Sequence, residues 1–197
     1  MSRHLLIAGA CVAALSLAAC GKKVETEGAA TPAEQAMTPD ANPAATIPTP
    51  ANEAAAADFA PKAAASDMFE IEAAKIAQKR SARAEVKAFA GEMIAAHTKS
   101  TTALKKAIAA DNLAITPPAA LPSDLQGKLD DLNKADAKDF DKKYADGQVD
   151  AHQSALNLMQ RYAEDGDAPA VKAFAAATAP VVQGHLDMAK ALADKTK

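Results

Sequence analysis

Four histidines occur in 197 residues, one at position 4 and the others at 97, 152 and 185. Each of the last three falls near the middle of a run whose apolar residues recur at helical spacing. A single His on such a face is ordinarily a core residue satisfied by one hydrogen bond. Three, on three separate helices, invite a second reading, because neutral imidazoles are ligands for zinc, copper and iron(II). Glu70 or Glu72 supplies a carboxylate for a mononuclear site. Met93, one turn before His97, and Met188, almost one turn after His185, would soften it toward Cu(I), although Met at helical spacing also serves as plain core filler. The competing reading is a buried polar network joining the His to Glu70, Asp141, Gln148 or Thr178. On the sequence alone both stay open.

Other chemistries are excluded more firmly. A di-iron centre in a helical bundle takes a Glu from each of two helices and Glu-x-x-His from each of the others, but Ile94 and Val182 stand three residues before His97 and His185. The ligand set therefore fits one transition metal ion and no di-iron pair, and no particular cofactor is specified. The eight glycines are scattered singly, so no phosphate-cradling loop or dinucleotide turn can be drawn. Glu70 and Glu72 form a carboxylate pair, but residues two apart on a helix point to different sides, which disfavours hydrolysis. No catalytic residue is assigned.

The elements that must position these side chains read as helices throughout. Asp67 with Glu70 forms a capping box, followed by a stripe of Phe69, Ala73, Ile76 and Ala77. A second stripe comprises Val86, Met93, His97, Ser100, Leu104 and Ile108. Run as one straight helix, the two stripes would lie about a third of a turn apart, so the chain breaks between Ser81 and Ala84 although neither Gly nor Pro marks the place. Asn112 and the Pro117-Pro118 to Pro122 segment end the second helix. Ser123 with Gln126 caps a short segment of Leu125, Leu129 and Leu132. A third long helix starts near Asp136, with Phe140, Tyr144, Gln148, Ala151, His152, Ala155, Met159 and Tyr162 inward. Gly166-Asp167 closes it, and Pro169 opens a fourth helix striped by Val171, Phe174, Thr178, Val181, His185, Met188 and Leu192. The expected fold is all-α, an antiparallel four-helix bundle with a weak internal repeat: Val86-Lys87-Ala88-Phe89-Ala90 recurs as Val171-Lys172-Ala173-Phe174-Ala175. Helix counting sets Glu70 level with His97 and puts His152 and His185 roughly 7 Å apart in rise, in adjacent layers.

The N-terminal third is different. A basic start, Arg3 and His4, precedes an apolar run from Leu5 to Leu17, shorter than the roughly 20 residues of a membrane-spanning helix and suited to a signal-peptide core. It ends in Leu17-Ala18-Ala19-Cys20, which resembles a bacterial lipobox with Cys20 as the lipidated residue. Residues 1–19 are then the signal peptide, Cys11 leaves with it, and the mature domain has no thiol for disulfides or catalysis. Gly21 resembles the sorting pattern that sends Gram-negative lipoproteins to the outer membrane. Residues 20–62 are rich in Ala, Thr and Pro and read as a disordered tether. Over residues 20–61, Lys22 and Lys23 face Glu25, Glu27, Glu34, Asp40, Glu53 and Asp58, while residues 62–197 hold 19 basic and 19 acidic side chains. That balance gives no nucleic-acid footprint. The bundle domain is placed at 63–197.

These residues resemble a bacterial family catalogued as domain of unknown function 4142, of lipoproteins and secreted proteins formerly labelled predicted outer membrane protein. The resemblance rests on Phe69-Glu70-Ile71-Glu72, on Val86 to Ala90 with Met93 and His97, on Phe140-Asp141 with Tyr144 and His152, and on Pro180 with His185-Leu186. It covers about residues 66–192 and implies a ferritin-like bundle without an established reaction. Ala96 departs from the pattern, which usually has Asp before the His of the second helix.

The expected function is a lipid-anchored periplasmic bundle acting as a non-enzymatic envelope or stress-related binding module. The alternative is a periplasmic protein that binds copper, zinc or iron through its core His. The membrane is the expected partner, through Cys20; no protein partner can be read. Burial of neutral His should lower all three imidazole pKa values and erode stability between roughly pH 7 and pH 5.

Overall fold

A computed structural model describes residues 54–197. The expected signal sequence, Cys20 and the expected tether up to residue 53 lie outside the described residues. Among those described there are five α-helices and no strand: α1 (Ala56–Arg80), α2 (Ala84–Ala110), α3 (Ser123–Lys134), α4 (Ala137–Asp165) and α5 (Pro169–Lys195). No helix among them is long and apolar enough to cross a membrane. The four long helices make a ring of contacts, α1 on α2, α2 on α5, α5 on α4 and α4 on α1, while α3 lies against α1 and α4.

The break after α1 falls where the phase slip requires. Ser81 takes an extended conformation, and its hydroxyl accepts a bond from the Arg83 backbone N–H at 3.0 Å. Asn112 ends α2 with φ 54°, the left-handed conformation that Asn tolerates better than most residues. Asp111, the α2 cap, accepts from Ala170 N and Val171 N at 2.9 Å, satisfying the first turn of α5 where Pro169 has no N–H to offer. A Cβ on Gly166 would sit 2.5 Å from the Tyr162 carbonyl oxygen, so the chain can turn there only without a side chain.

Four expectations need correction. The boundary between tether and bundle is not at residue 63, because α1 begins at Ala56 and Phe59 is wholly buried, stacked on Tyr162 at 4.0 Å between ring centroids. Pro61 sits inside this helix. An Ala- and Pro-rich composition hid a segment whose Phe59, Ala60, Ala63 and Ala64 line one face. Asp67 opens no helix; it lies in the middle of α1, buried. Ser123 caps nothing, since the N-cap of α3 is Pro122 and has no side-chain bond. On α5, Val181 is exposed and Val182 is buried instead. With Val171 as origin, Val182 lies about 20° and Val181 about 80° around a straight helix, so the 3.6-residue period carries the stripe through Val182.

The core is two large apolar clusters and a small third one of Ala155, Leu156, Val182 and Leu186. One joins Phe69, Val86, Phe89, Met93, Phe140, Tyr144 and Leu192, near the turn between α1 and α2. The other joins Phe59, Leu104, Ile108, Met159, Tyr162, Val171 and Phe174, near the turn between α4 and α5. Between the two large clusters every long helix contributes buried polar side chains: Asp67 and Glu70 from α1, His97 from α2, Gln148 and His152 from α4, and His185 from α5.

Candidate metal centre

The three imidazoles meet. Ring centroids are 5.6 Å apart for His97 and His152, 5.8 Å for His97 and His185, and 5.6 Å for His152 and His185. Each ring offers one nitrogen such that the three nitrogens lie within 4.8 Å of one another. All three residues are buried. The expectation that His152 and His185 occupy adjacent layers is therefore wrong. Helical side chains lean toward the N-terminus of their own helix. On two helices joined by a reversal, His152 leans away from the turn and His185 toward it, which closes the rise that residue counting leaves open.

Two of the rings are held by their other nitrogen. His97 Nδ1 lies 2.8 Å from Asp67 Oδ1, and the second Asp67 oxygen accepts from Thr101 Oγ1 at 3.1 Å. His152 Nδ1 lies 2.8 Å from the Gln148 carbonyl, which can only accept, so this nitrogen carries the proton and Nε2 bears the lone pair. His97 Nε2, His152 Nε2 and His185 Nδ1 have no hydrogen-bond partner. Asp67, expected as a cap, is instead the partner of His97. Its signal was symmetry about the break: it stands thirteen residues before the end of α1, as His97 stands thirteen after the start of α2. Because α1 stops at Arg80, the residue level with His97 shifts from Glu70 to Asp67.

The other candidate ligands separate. Glu70 is 1% exposed, with neither carboxylate oxygen in a hydrogen bond. Burial raises its pKa to about 7, against the opposing pull of the His97 charge and the Gln148 side chain. Glu72 is excluded: it is half-exposed and paired with Lys75 at 2.8 Å. Met93 lies in the Phe69 cluster and Met188 packs at its edge. Met159 is the methionine that borders the site, in a cavity of about 30 Å³ with His97, His185, Ser100 and Thr178. That volume is room for about one water. Ser100 Oγ is also buried and unpartnered.

Electrostatics divide the three imidazoles. Burial lowers His97, but its bond to Asp67 and the charges of Glu70 and Asp67 outweigh that, and its pKa lies above the ordinary value. Burial, with the His97 charge adding to it, holds His152 and His185 down at about 4. The expectation that all three are lowered fails at His97, the one ring with a carboxylate partner.

Fold and site together define an all-α domain whose helices converge on a buried three-histidine cluster backed by a carboxylate. The chain belongs to the family described as Domain of unknown function (DUF4142), whose model matches residues 41–192. No curated protein and no solved structure matches it.

Proposed function

We propose that this domain binds a single divalent transition metal ion, with zinc(II) the best fit, through His97, His152 and His185. The observation that carries the reading is that three buried rings each bring one nitrogen within 4.8 Å of the others, and that each ring keeps a buried nitrogen with no hydrogen-bond partner. Ligands of a tetrahedral zinc with bonds of about 2.0–2.1 Å stand roughly 3.4 Å apart, so binding draws the rings inward by on the order of 1 Å. Asp67 and the Gln148 carbonyl act as the outer partners that fix the tautomer and aim of metal-binding His. Charge favours a divalent ion: with His97 deprotonated, the buried carboxylates of Asp67 and Glu70 balance two positive charges, whereas Cu(I) would leave one over. The 30 Å³ cavity provides a fourth position for water.

In this reading the ring of long helices is a ferritin-like antiparallel four-helix bundle, and the lipobox at Cys20 anchors it in the cell envelope, facing the periplasm. The domain serves as a metal-binding module of that compartment and not as an enzyme. Calorimetric titration of the metal-stripped full chain with zinc(II), copper(I) and iron(II) tests the proposal. Zinc should bind at one equivalent. His97→Ala, His152→Ala and His185→Ala should each weaken it by at least about 100-fold, since each removes a direct ligand. Stoichiometric binding that survives all three substitutions would refute the assignment.

A further inference from the structure

Apart from the histidine cluster, a groove of about 680 Å³ opens between α1, α3 and α4. Its size lies within the roughly 300–1,000 Å³ of small-molecule sites. The groove is elongated. Along α1 its lining recurs as Lys62, Ser66, Phe69 and Ala73, and along α4 as Gly147, Ala151, Ala155 and Leu158. Each set follows one helix face and spans roughly 16 Å at 1.5 Å of rise per residue. Leu125 and Leu132 of α3 form the third wall. Gly147 and Ala151 leave the α4 side shallow, and a Cβ added at Gly147 would meet nothing within 4 Å. The α3 wall is fixed in place: Arg80 donates to the carbonyls of Leu132 and Asn133, both at 2.7 Å, and its guanidinium lies 4.6 Å from the Phe140 ring centroid. A trough formed in advance asks little reordering of the protein when it is filled.

Charge narrows the choice of occupant. The rim carries Lys62, Lys128, Lys134 and Lys143 against Asp131 and Asp150. Lys134 ends α3 and Lys143 lies early in α4, so the two flank the turn between these helices, at the end of the trough where Gly147 lies. Neither makes an ion pair among the described residues. An apolar trough with two unpaired cations at one end is complementary to a chain that carries one anionic head. A peptide laid there would bring backbone N–H and C=O groups, which walls of Ala, Leu and Phe side chains cannot pair. An uncharged chain would gain nothing from the lysines.

We propose that this groove binds one single-chain fatty carboxylate, its head between Lys134 and Lys143 and its chain along Gly147, Ala151, Ala155 and Leu158. The proposal stands apart from the metal reading. Chelator is therefore kept in the test, so that a carboxylate cannot register through a bound ion.

The probes are laurate, butyrate, which keeps the charge and loses most of the chain, and dodecyltrimethylammonium, which keeps the chain and reverses the charge. Each is titrated calorimetrically into the full chain, below its micelle concentration. Laurate should bind at one site. Butyrate should bind at least about 100-fold more weakly, since each methylene taken out of water tightens binding about fourfold. Dodecyltrimethylammonium should bind about tenfold or more weakly than laurate, and Lys134→Glu combined with Lys143→Glu should reverse that order. Gly147→Leu fills the shallow side and should block both chain probes, while replacement of a mid-helix Gly keeps the urea midpoint at or above wild type. Several equivalent sites for laurate, equal affinity for laurate and dodecyltrimethylammonium, no measurable binding of laurate, or undiminished binding in folded Gly147→Leu would each overturn the proposal.

Discussion

The Phe59 end of the domain and its histidine layer are built from the same helices and treat polar atoms in opposite ways. At the Phe59 end every polar group near the core is used. Tyr162 Oη donates to Asp167 Oδ1 at 3.0 Å, the same oxygen accepts from Ala56 N at 2.8 Å, and Asp111 closes α5. In and beside the layer, Glu70, His97, Ser100, Tyr144, Gln148, His152 and His185 all keep unpartnered buried atoms. Interiors ordinarily pair such groups. The contrast teaches that one end pairs its polar atoms and serves stability, while the layer keeps polar atoms unpaired at the expense of stability.

The most severe way to break the comparison is at the apolar end. Phe59→Ala should lower the unfolding free energy by about 3–5 kcal/mol in urea titration. Zinc affinity of the molecules that remain folded should not change. A drop in affinity as large as that from His97→Ala would mean that the two regions are not independent.

At the layer, Asp67→Ala removes an orienting partner and no ligand. Zinc affinity should fall by about 10–100-fold, which is less than for loss of a His. An unchanged affinity would show that Asp67 serves only to satisfy His97.

The pH response of the metal-free protein sharpens the contrast further. His152 and His185, held at about 4, contribute stability that is full above their unfolded value of 6.5 and is lost as pH falls toward 4. Glu70, raised from 4.5 to about 7, works in reverse: its contribution is full below 4.5 and is lost as pH rises through 7. His97, raised above 6.5, likewise contributes most at low pH and loses that contribution as pH rises through its folded value. The shifts oppose one another, so the wild-type urea midpoint should change little between pH 7 and pH 5. Over that window Glu70→Gln should lose stability on acidification, and His152→Gln with His185→Gln should gain it. A steep decline in wild type would mean that the two lowered His dominate.

The smallest effect is expected at Glu72, whose ion pair with Lys75 is exposed on both sides. Glu72→Gln should shift stability by less than about 0.5 kcal/mol and leave zinc affinity untouched. A measurable affinity loss would bring Glu72 back into the site.

The sequence by itself determined the helices, their breaks and the inward placement of His97, His152 and His185. Those follow from a 3.6-residue period and from local chemistry at Asn112, Gly166 and Pro169, and neither needs a partner helix. It could also separate the charged face of α1, carrying Glu72, from the buried one only to the precision of the stripe. Only the tertiary structure decided that the three rings share one layer, that Asp67 and not Glu70 meets His97, and that α1 reaches back to Ala56 to stack Phe59 on Tyr162. The reason is that register between helices depends on the residue at which each helix stops and on the direction in which side chains lean. An offset of three residues moves a side chain by roughly 4.5 Å along the axis, a full contact distance. Hydrophobic periodicity fixes which face turns inward, but it is silent about height along the bundle, and a ligand set is a matter of height.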